Sequence, residues 1–256
     1  MALLRDLLDL NATTGGIENP PVRTIFVYNA ATATVSNGGQ ACTWTVPADV
    51  TWVGVEMWGG GGSGGGVVSC CGTGWGGGHG AYARKLMTVT PGDVYTICAA
   101  GTTNCPTTMT GTVGGTSYMC KNGVSCMTAA GGIPGQNCCC WFCGFNHPCC
   151  NPEPAAGFTG ASFGICATHP MHIQACQSNC HNIPVVSGAP LGNPNLLFGI
   201  AYCCHWNGSQ HMDGVLFPGG GGMPASSWCC NGSYQRCGGV GAGGLVSLIY
   251  YSTTAP

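Results

Sequence analysis

Thr51-Trp-Val-Gly-Val-Glu-Met-Trp58 runs directly into Gly59-Gly-Gly-Gly-Ser-Gly-Gly-Gly66, and this junction decides the fold. The first half alternates over eight residues, the period of a strand with one face buried. The second half cannot be an ordinary strand or helix, because glycine loses more backbone entropy on folding than any other residue. A run of that length stays ordered only where backbones pack closely and hydrogen-bond to each other.

Strand signals continue on both sides. Upstream stand Arg23-Thr-Ile-Phe-Val-Tyr28 and Ala41-Cys-Thr-Trp-Thr-Val46, the latter stopped by Pro47. Downstream, Gly76-Gly-Gly78 leads into Ala81-Tyr-Ala-Arg-Lys-Leu-Met-Thr-Val89, which Pro91-Gly92 closes with strong turn chemistry. Val94-Tyr-Thr-Ile-Cys98 is expected to pair with it as a hairpin. Gly219 to Gly222 and Gly238 to Gly244 precede a last apolar strand, Leu245-Val-Ser-Leu-Ile-Tyr-Tyr251, expected to complete the sheet opened by residues 41–58. The fold class is all-β. Residues 101–240 carry little periodicity and read as a loop-rich insertion punctuated by Gly-Gly, Asn-Gly and Pro-Gly.

Composition narrows the function. Charged residues are 5% of the chain, against about a quarter in an ordinary soluble domain. A surface this neutral has little electrostatic reason to stay apart from its neighbours, which points to life inside an assembly. Six Lys and Arg residues supply no patch for a phosphate backbone, so no nucleic acid is expected. Eight carboxylates form no close pair suited to acid–base work, so neither an enzyme nor a cofactor is expected. The 46 glycines show no Gly-X-Y period, which excludes collagen, and 45% hydrophobic residues are too many for a disordered linker. Apolar runs are too short or too broken by glycine for membrane insertion. The start of the chain, interrupted by Arg5, Asp6 and Asp9, is not a signal peptide, and synthesis in a cytoplasm is expected.

The 21 cysteines, many adjacent (Cys70-Cys71, Cys138-Cys139-Cys140, Cys149-Cys150), admit three readings. They are free thiols acting as small apolar fillers, disulfides formed after release from a reducing cell, or metal ligands. The metal reading has the least support: Cys140, Cys143, His147 and Cys149 give one two-residue ligand spacing without a clean second pair.

Residues 1–22 read as an attachment segment and 23–256 as a glycine- and cysteine-rich β domain. Leu3, Leu4, Leu7 and Leu8 fall on one face of a short helix over 3–10, followed by the linker Glu18-Asn-Pro-Pro21. About ten residues do not hold a helix without a tertiary partner, so the leucine face is expected to dock, on another subunit or on its own domain. Trp141, Phe142, Phe145, Tyr202, His205, Trp206 and His211 lie in Gly- and Asn-rich segments. Aromatic faces beside small polar groups suit a sugar or a partner protein; the same residues also suit a thin core or a subunit interface.

The order Thr43-Trp-Thr-Val-Pro47, Val53-Gly-Val-Glu-Met-Trp58, Gly59-Gly-Gly-Gly62, Gly76-Gly-Gly-His-Gly-Ala-Tyr-Ala-Arg-Lys-Leu86 and Val89-Thr-Pro-Gly-Asp-Val-Tyr-Thr-Ile97 resembles the glycine-rich domain of phage tail-fibre and virion structural proteins. Gly114-Gly-Thr-Ser117 and Gly241-Ala-Gly-Gly-Leu-Val-Ser-Leu-Ile-Tyr250 match its later part, and the cysteine-laden tracts are similar to marine cyanophage versions. The resemblance covers 41–120 and 238–251 and leaves the middle open. It implies a β-sandwich-like frame whose glycine tracts pack as extended, polyglycine-II-like strands, in proteins that are often trimeric and sit at receptor-binding tips or decorations. It brings no catalytic residues. The expectation is a virion protein at a tail fibre, spike or tip, joined to other virion proteins through its N-terminal helix, forming a homo-oligomer and contacting a host surface glycan or protein. A capsid or sheath decoration is the first alternative. A secreted matrix protein is the second, favoured by the glycosylation triplets at Asn11, Asn207 and Asn231 and opposed by the missing signal peptide. Thiols and imidazoles are abundant enough to leave a Cys–His nucleophile open, but no flanking motif supports one.

Overall fold

Along Trp52–Trp58, Val53, Val55 and Met57 are fully buried while Trp52, Gly54 and Glu56 face outward, as the strand period requires. The computed structural model describes residues 22–28, 39–66, 72–74, 76–103, 110–135, 137–138, 157–166, 183–186, 200–203, 218–222, 226–227 and 238–252. Among them there is no helix, and the strands in chain order are β1 (Val22–Tyr28), β2 (Gln40–Thr45), β3 (Trp52–Trp58), β4 (Gly72–Gly74), β5 (Tyr82–Thr88), β6 (Val94–Ala99), β7 (Ser117–Lys121), β8 (Val124–Ala129), β9 (Asn137–Cys138), β10 (Phe158–Thr159), β11 (Phe163–Ile165), β12 (Ile183–Val186), β13 (Ile200–Cys203), β14 (Ser226–Ser227) and β15 (Leu245–Tyr251). The expected helix, with Leu3, Leu4, Leu7 and Leu8, lies outside the described residues.

Two antiparallel five-stranded sheets carry the fold, in the orders β1-β15-β3-β5-β11 and β10-β8-β7-β6-β2. Their inward residues form one core: Val53, Val55, Met57, Val246 and Leu248 from the first sheet, Ile97, Met119 and Met127 from the second. At the edge of this core Trp44 lies between Tyr95 and Tyr250, ring centroids 5.9 and 5.5 Å away, so one indole ties the two sheets together. Two smaller sheets, β12-β13 and β14-β4-β9, stand apart from these.

Three sequence expectations change. Pro91-Gly92 does make the turn: Asp93 N–H donates to the Thr90 carbonyl at 3.0 Å, and Gly92 takes φ 83°, as the third position of a type II turn demands. Yet β5 and β6 do not pair. β3 and β11 flank β5, while β2 and β7 flank β6, so the turn carries the chain over the core from one sheet to the other. Ala83 and Ile97 both bury in that core, and an arch satisfies both strands where a hairpin would put them side by side. The second correction follows. β15 pairs with β3 and β1, but β2 belongs to the opposite sheet, so the run 41–58 splits at Pro47. Finally, inside the stretch expected to be loop, β7 and β8 form a hairpin around Asn122 (φ 51°) and Gly123 (φ 77°). That is the two-residue turn whose twist matches flanking strands.

Candidate functional site

Glycine tracts grow directly out of the strands. β3, β6 and β8 run on into 59–66, 100–103 and 130–135, while 76–81, 110–116 and 238–244 run into β5, β7 and β15. The backbone of the first tract distributes its hydrogen bonds in rotation. Gly59, Gly60 and Gly61 donate to Ala81, Gly115 and Ala242; Gly62, Ser63 and Gly64 then donate to Gly78, Thr112 and Gly239, all at 2.8–3.0 Å. The same three neighbours return every third residue, each running antiparallel to the donor. Its carbonyls are taken from the other side: Gly60 and Ser63 accept from Gly132 and Gly135, and Gly62 accepts from Gly222.

The six surrounding tracts follow one another in the order 76–81, 130–135, 110–116, 100–103, 238–244, 219–222 and back to 76–81. Backbone hydrogen bonds join five of these six neighbouring pairs. The sixth, 110–116 with 100–103, is joined where the Ser117 hydroxyl accepts the Ala100 N–H at 3.0 Å. Neighbouring directions alternate around the ring. At this spacing a side chain cannot fit: a Cβ on Gly61, Gly62, Gly77, Gly221 or Gly241 would lie well inside 3.0 Å of a neighbouring carbonyl.

Hydroxyls repair the places where glycine is interrupted. Ser63 N–H donates to the Thr112 carbonyl and the Ser63 hydroxyl accepts the Thr112 N–H at 2.6 Å. Thr103 does the same with Gly241, its N–H donating to the carbonyl and its Oγ1 accepting the N–H at 2.6 Å. Both side chains are fully buried. Nothing in the sequence singled them out; a small hydroxyl residue within or at the end of a tract is the signal that could have.

His79 is the one titratable side chain within these tracts, buried and donating from Nδ1 to the Gly80 carbonyl at 2.8 Å. Burial pushes its imidazole below the ordinary histidine value, and the bond to Gly80 offsets this only in part. The folded chain therefore binds fewer protons at His79 than the unfolded chain does. That contribution to stability is full above the ordinary value of 6.5, falls as the pH drops through it, and levels off below the folded-state value. Urea unfolding followed from pH 8 to pH 5 should show this loss in the wild type. The loss should shrink in His79→Gln, whose side chain keeps polarity without titrating; identical profiles would show that His79 does not titrate in the bundle.

Four connections leave from one end, after Gly66, Thr103, Gly135 and Gly222, while the connection 167–217 starts beyond Ile165, the partner of Tyr82, and ends at Gly219, whose carbonyl takes the Gly80 N–H, so it leaves from the sheet end. Gly66, Gly76, Thr103, Thr110, Gly135, Gly222 and Gly238 are the tract ends away from the two large sheets. There β4, from the connection 67–75, pairs with β9 and β14, from the connections after 135 and after 222. Trp141, Phe142 and Phe145 belong to the connection that follows β9, and Tyr202 belongs to β13. Trp141, Phe142, Phe145, His205, Trp206 and His211 lie outside the described residues, as do Cys140, Cys143, His147 and Cys149. Five free cysteines are described: Cys42, Cys98, Cys120, Cys126 and Cys166. Burial raises the Cys98 thiol above its usual value, which suits a filler more than a nucleophile.

A second surface escaped the sequence reading. The first sheet turns an apolar face outward, with Glu56 at its centre. Glu56 accepts from the Tyr82 hydroxyl at 3.2 Å and pairs with Arg84 at 3.4 Å. Burial and the neighbouring Glu56 push the Tyr82 phenol up to about 12. No protein-family model matches this chain and no curated protein is found similar to it, so what it does has to be read from the residues themselves.

Proposed function

We propose that this chain is a non-enzymatic structural protein of a phage particle, standing at the tail fibre, spike or tip and assembled in the host cytoplasm. In this reading the seven tracts are polyglycine II helices, and the two large sheets are a sandwich-like frame that continues into them. The observation that carries it is the threefold rotation of donors along 59–64. A polyproline-II-type chain has three residues per turn and no internal hydrogen bonds, so each backbone group points to a neighbour in turn. Only glycine lets six neighbours come that close. Such a bundle is a rigid, nearly neutral post, and it supports a role in holding the connections that leave its two ends against a surface. Trp141, Phe142, Phe145, Tyr202, His205, Trp206 and His211 would supply contact to a host glycan or protein, and the segment with Leu3, Leu4, Leu7 and Leu8 would join other virion proteins.

Antibody raised against the chain and applied to purified particles tests the position. Label at the tail end, in few copies, is expected. Label in dozens to hundreds over the capsid or sheath would make the chain a decoration, and particles without label would end the virion reading. Trp141→Ala with Trp206→Ala should reduce adsorption to host cells about 10-fold or more while assembly persists, as loss of two aromatic anchors does. Unchanged adsorption would remove those residues from the contact surface.

A further inference from the structure

We propose that the outer face of the sheet β1-β15-β3-β5-β11 is the contact surface for a second copy of this chain, the two sheets packing face to face about a twofold axis. Phe26, Tyr28, Trp52, Leu86, Phe163 and Tyr251 all point away from the core here and stand 52–65% exposed. Half-exposed aromatic and aliphatic side chains of this kind add up to on the order of 700 Å² of apolar surface. The largest apolar patch on a typical monomer is about 300–600 Å², and a stable interface takes about 800 Å² from each partner. The face therefore has the area of one half of a dimer contact.

Its pattern suits a copy of itself. One register row reads Phe26, Ser247, Glu56, Arg84, Phe163, with the two phenylalanines flanking a neutral ion pair. Glu56 and Arg84 are the only charges that the described residues place on this face, so two copies meet without like-charge repulsion. A twofold axis near them lets each Arg84 also face the partner's Glu56, which is the self-complementarity an isologous contact requires. The next row reads Thr24, Ile249, Gly54, Leu86. Leu86 is a knob, and Gly54 beside it leaves a dip. Space within the fold does not demand that glycine, since a Cβ there would meet only the Ile249 carbonyl at 3.5 Å and its Cβ at 3.9 Å. A glycine in the middle of a strand weakens it, and it marks a place where something else approaches closely. A second Leu86 fills that place.

The inference takes up the homo-oligomer expected from the sequence and narrows it, from the trimer that the resemblance implies to a pair. Sedimentation of the full chain in reducing buffer should give twice 25.9 kDa at micromolar concentration. Leu86→Gln and Gly54→Gln should each weaken the pair about 30-fold or more, the loss expected at the centre of an interface. Val124→Gln, at an exposed position on the other sheet, should leave it unchanged. Circular dichroism melts confirm that each variant is folded, and Gly54→Gln serves where Leu86→Gln is not. A monomer at 100 µM, a trimer, or a dimer indifferent to both variants overturns the proposal. So does a monomer that dimerises only once residues 1–21 are removed, since the segment itself would then be the occupant. None of these outcomes bears on where antibody labels the particle, so failure here is distinguishable from failure of the virion reading.

Discussion

Gly62→Ala is expected to destabilise the protein by about 4 kcal/mol or more, a large share of the roughly 5–15 kcal/mol that keeps a domain folded. The residue sits in the middle of the central tract, where its N–H donates to Gly78 and its carbonyl accepts from Gly222. A methyl group added there would collide with the carbonyl of Ile133 and lie 2.9 Å from that of Gly132. Both obstacles are backbone, already bonded to other tracts, so relief requires moving 130–135 as a unit. That movement breaks the bonds Gly132 and Gly135 make to Gly60 and Ser63. Ordinary overpacking costs about 1–3 kcal/mol because side chains can rotate away; here nothing can rotate. Gly157→Ala is the control. Gly157 precedes β10 with only an ordinary contact, the Cys166 Sγ at 3.5 Å, around its missing Cβ, and alanine should be neutral or stabilise by about 0.5 kcal/mol through lower unfolded-state entropy. Urea titrations of the two variants side by side decide the matter. Equal stabilities would mean that the glycine tracts are not closely packed, and the proposed post would have no rigidity.

The β frame was legible because side-chain alternation marks it. β3 and β15 carry inward apolar residues at every second position, and β1 and β5 do so except at Arg23 and Lys85, so their existence follows from that period. Partner choice was less legible. Pro91-Gly92 specifies a turn through local dihedrals, but whether the arms pair or separate depends on Ala83 and Ile97 reaching one core, which no local pattern encodes. The Asn122-Gly123 hairpin was readable in principle and was hidden by the glycine and cysteine around it. Glycine tracts carry no periodicity in their side chains. Their order lies in backbone bonds that recur every third residue, so the sequence shows that such tracts must pack but not which neighbours they choose. The outer face with Trp52 and Leu86 reads, letter by letter, like any other strand. Its exposure appears only when both sheet faces are assigned.

Ser117→Ala should cost about 2–4 kcal/mol although it removes a single oxygen from a chain of this size. Ser117 is fully buried where β3, β6, β7 and β15 give way to glycine. Its hydroxyl donates to the Trp58 carbonyl at 2.6 Å and accepts the Ala100 N–H at 3.0 Å, while the Ala100 carbonyl takes the Gly244 N–H at 2.8 Å. One oxygen thus joins the only neighbouring pair of tracts that shares no backbone hydrogen bond among those described. Alanine leaves the Ala100 N–H without that acceptor and the Trp58 carbonyl without that donor. Each unmade buried bond costs about 1–3 kcal/mol, because no water replaces it. The contrast is Thr128, whose hydroxyl pairs with that of Thr159 at 2.7 Å in an exposed position, so Thr128→Val should change stability by no more than about 0.5 kcal/mol. Thermal melts rank the two variants, and amide exchange at Ala100 should accelerate in Ser117→Ala relative to the wild type. If Ser117→Ala proves as mild as Thr128→Val, the ring of tracts does not depend on this joint. The bundle would then be held by the five backbone-bonded pairs and the central tract.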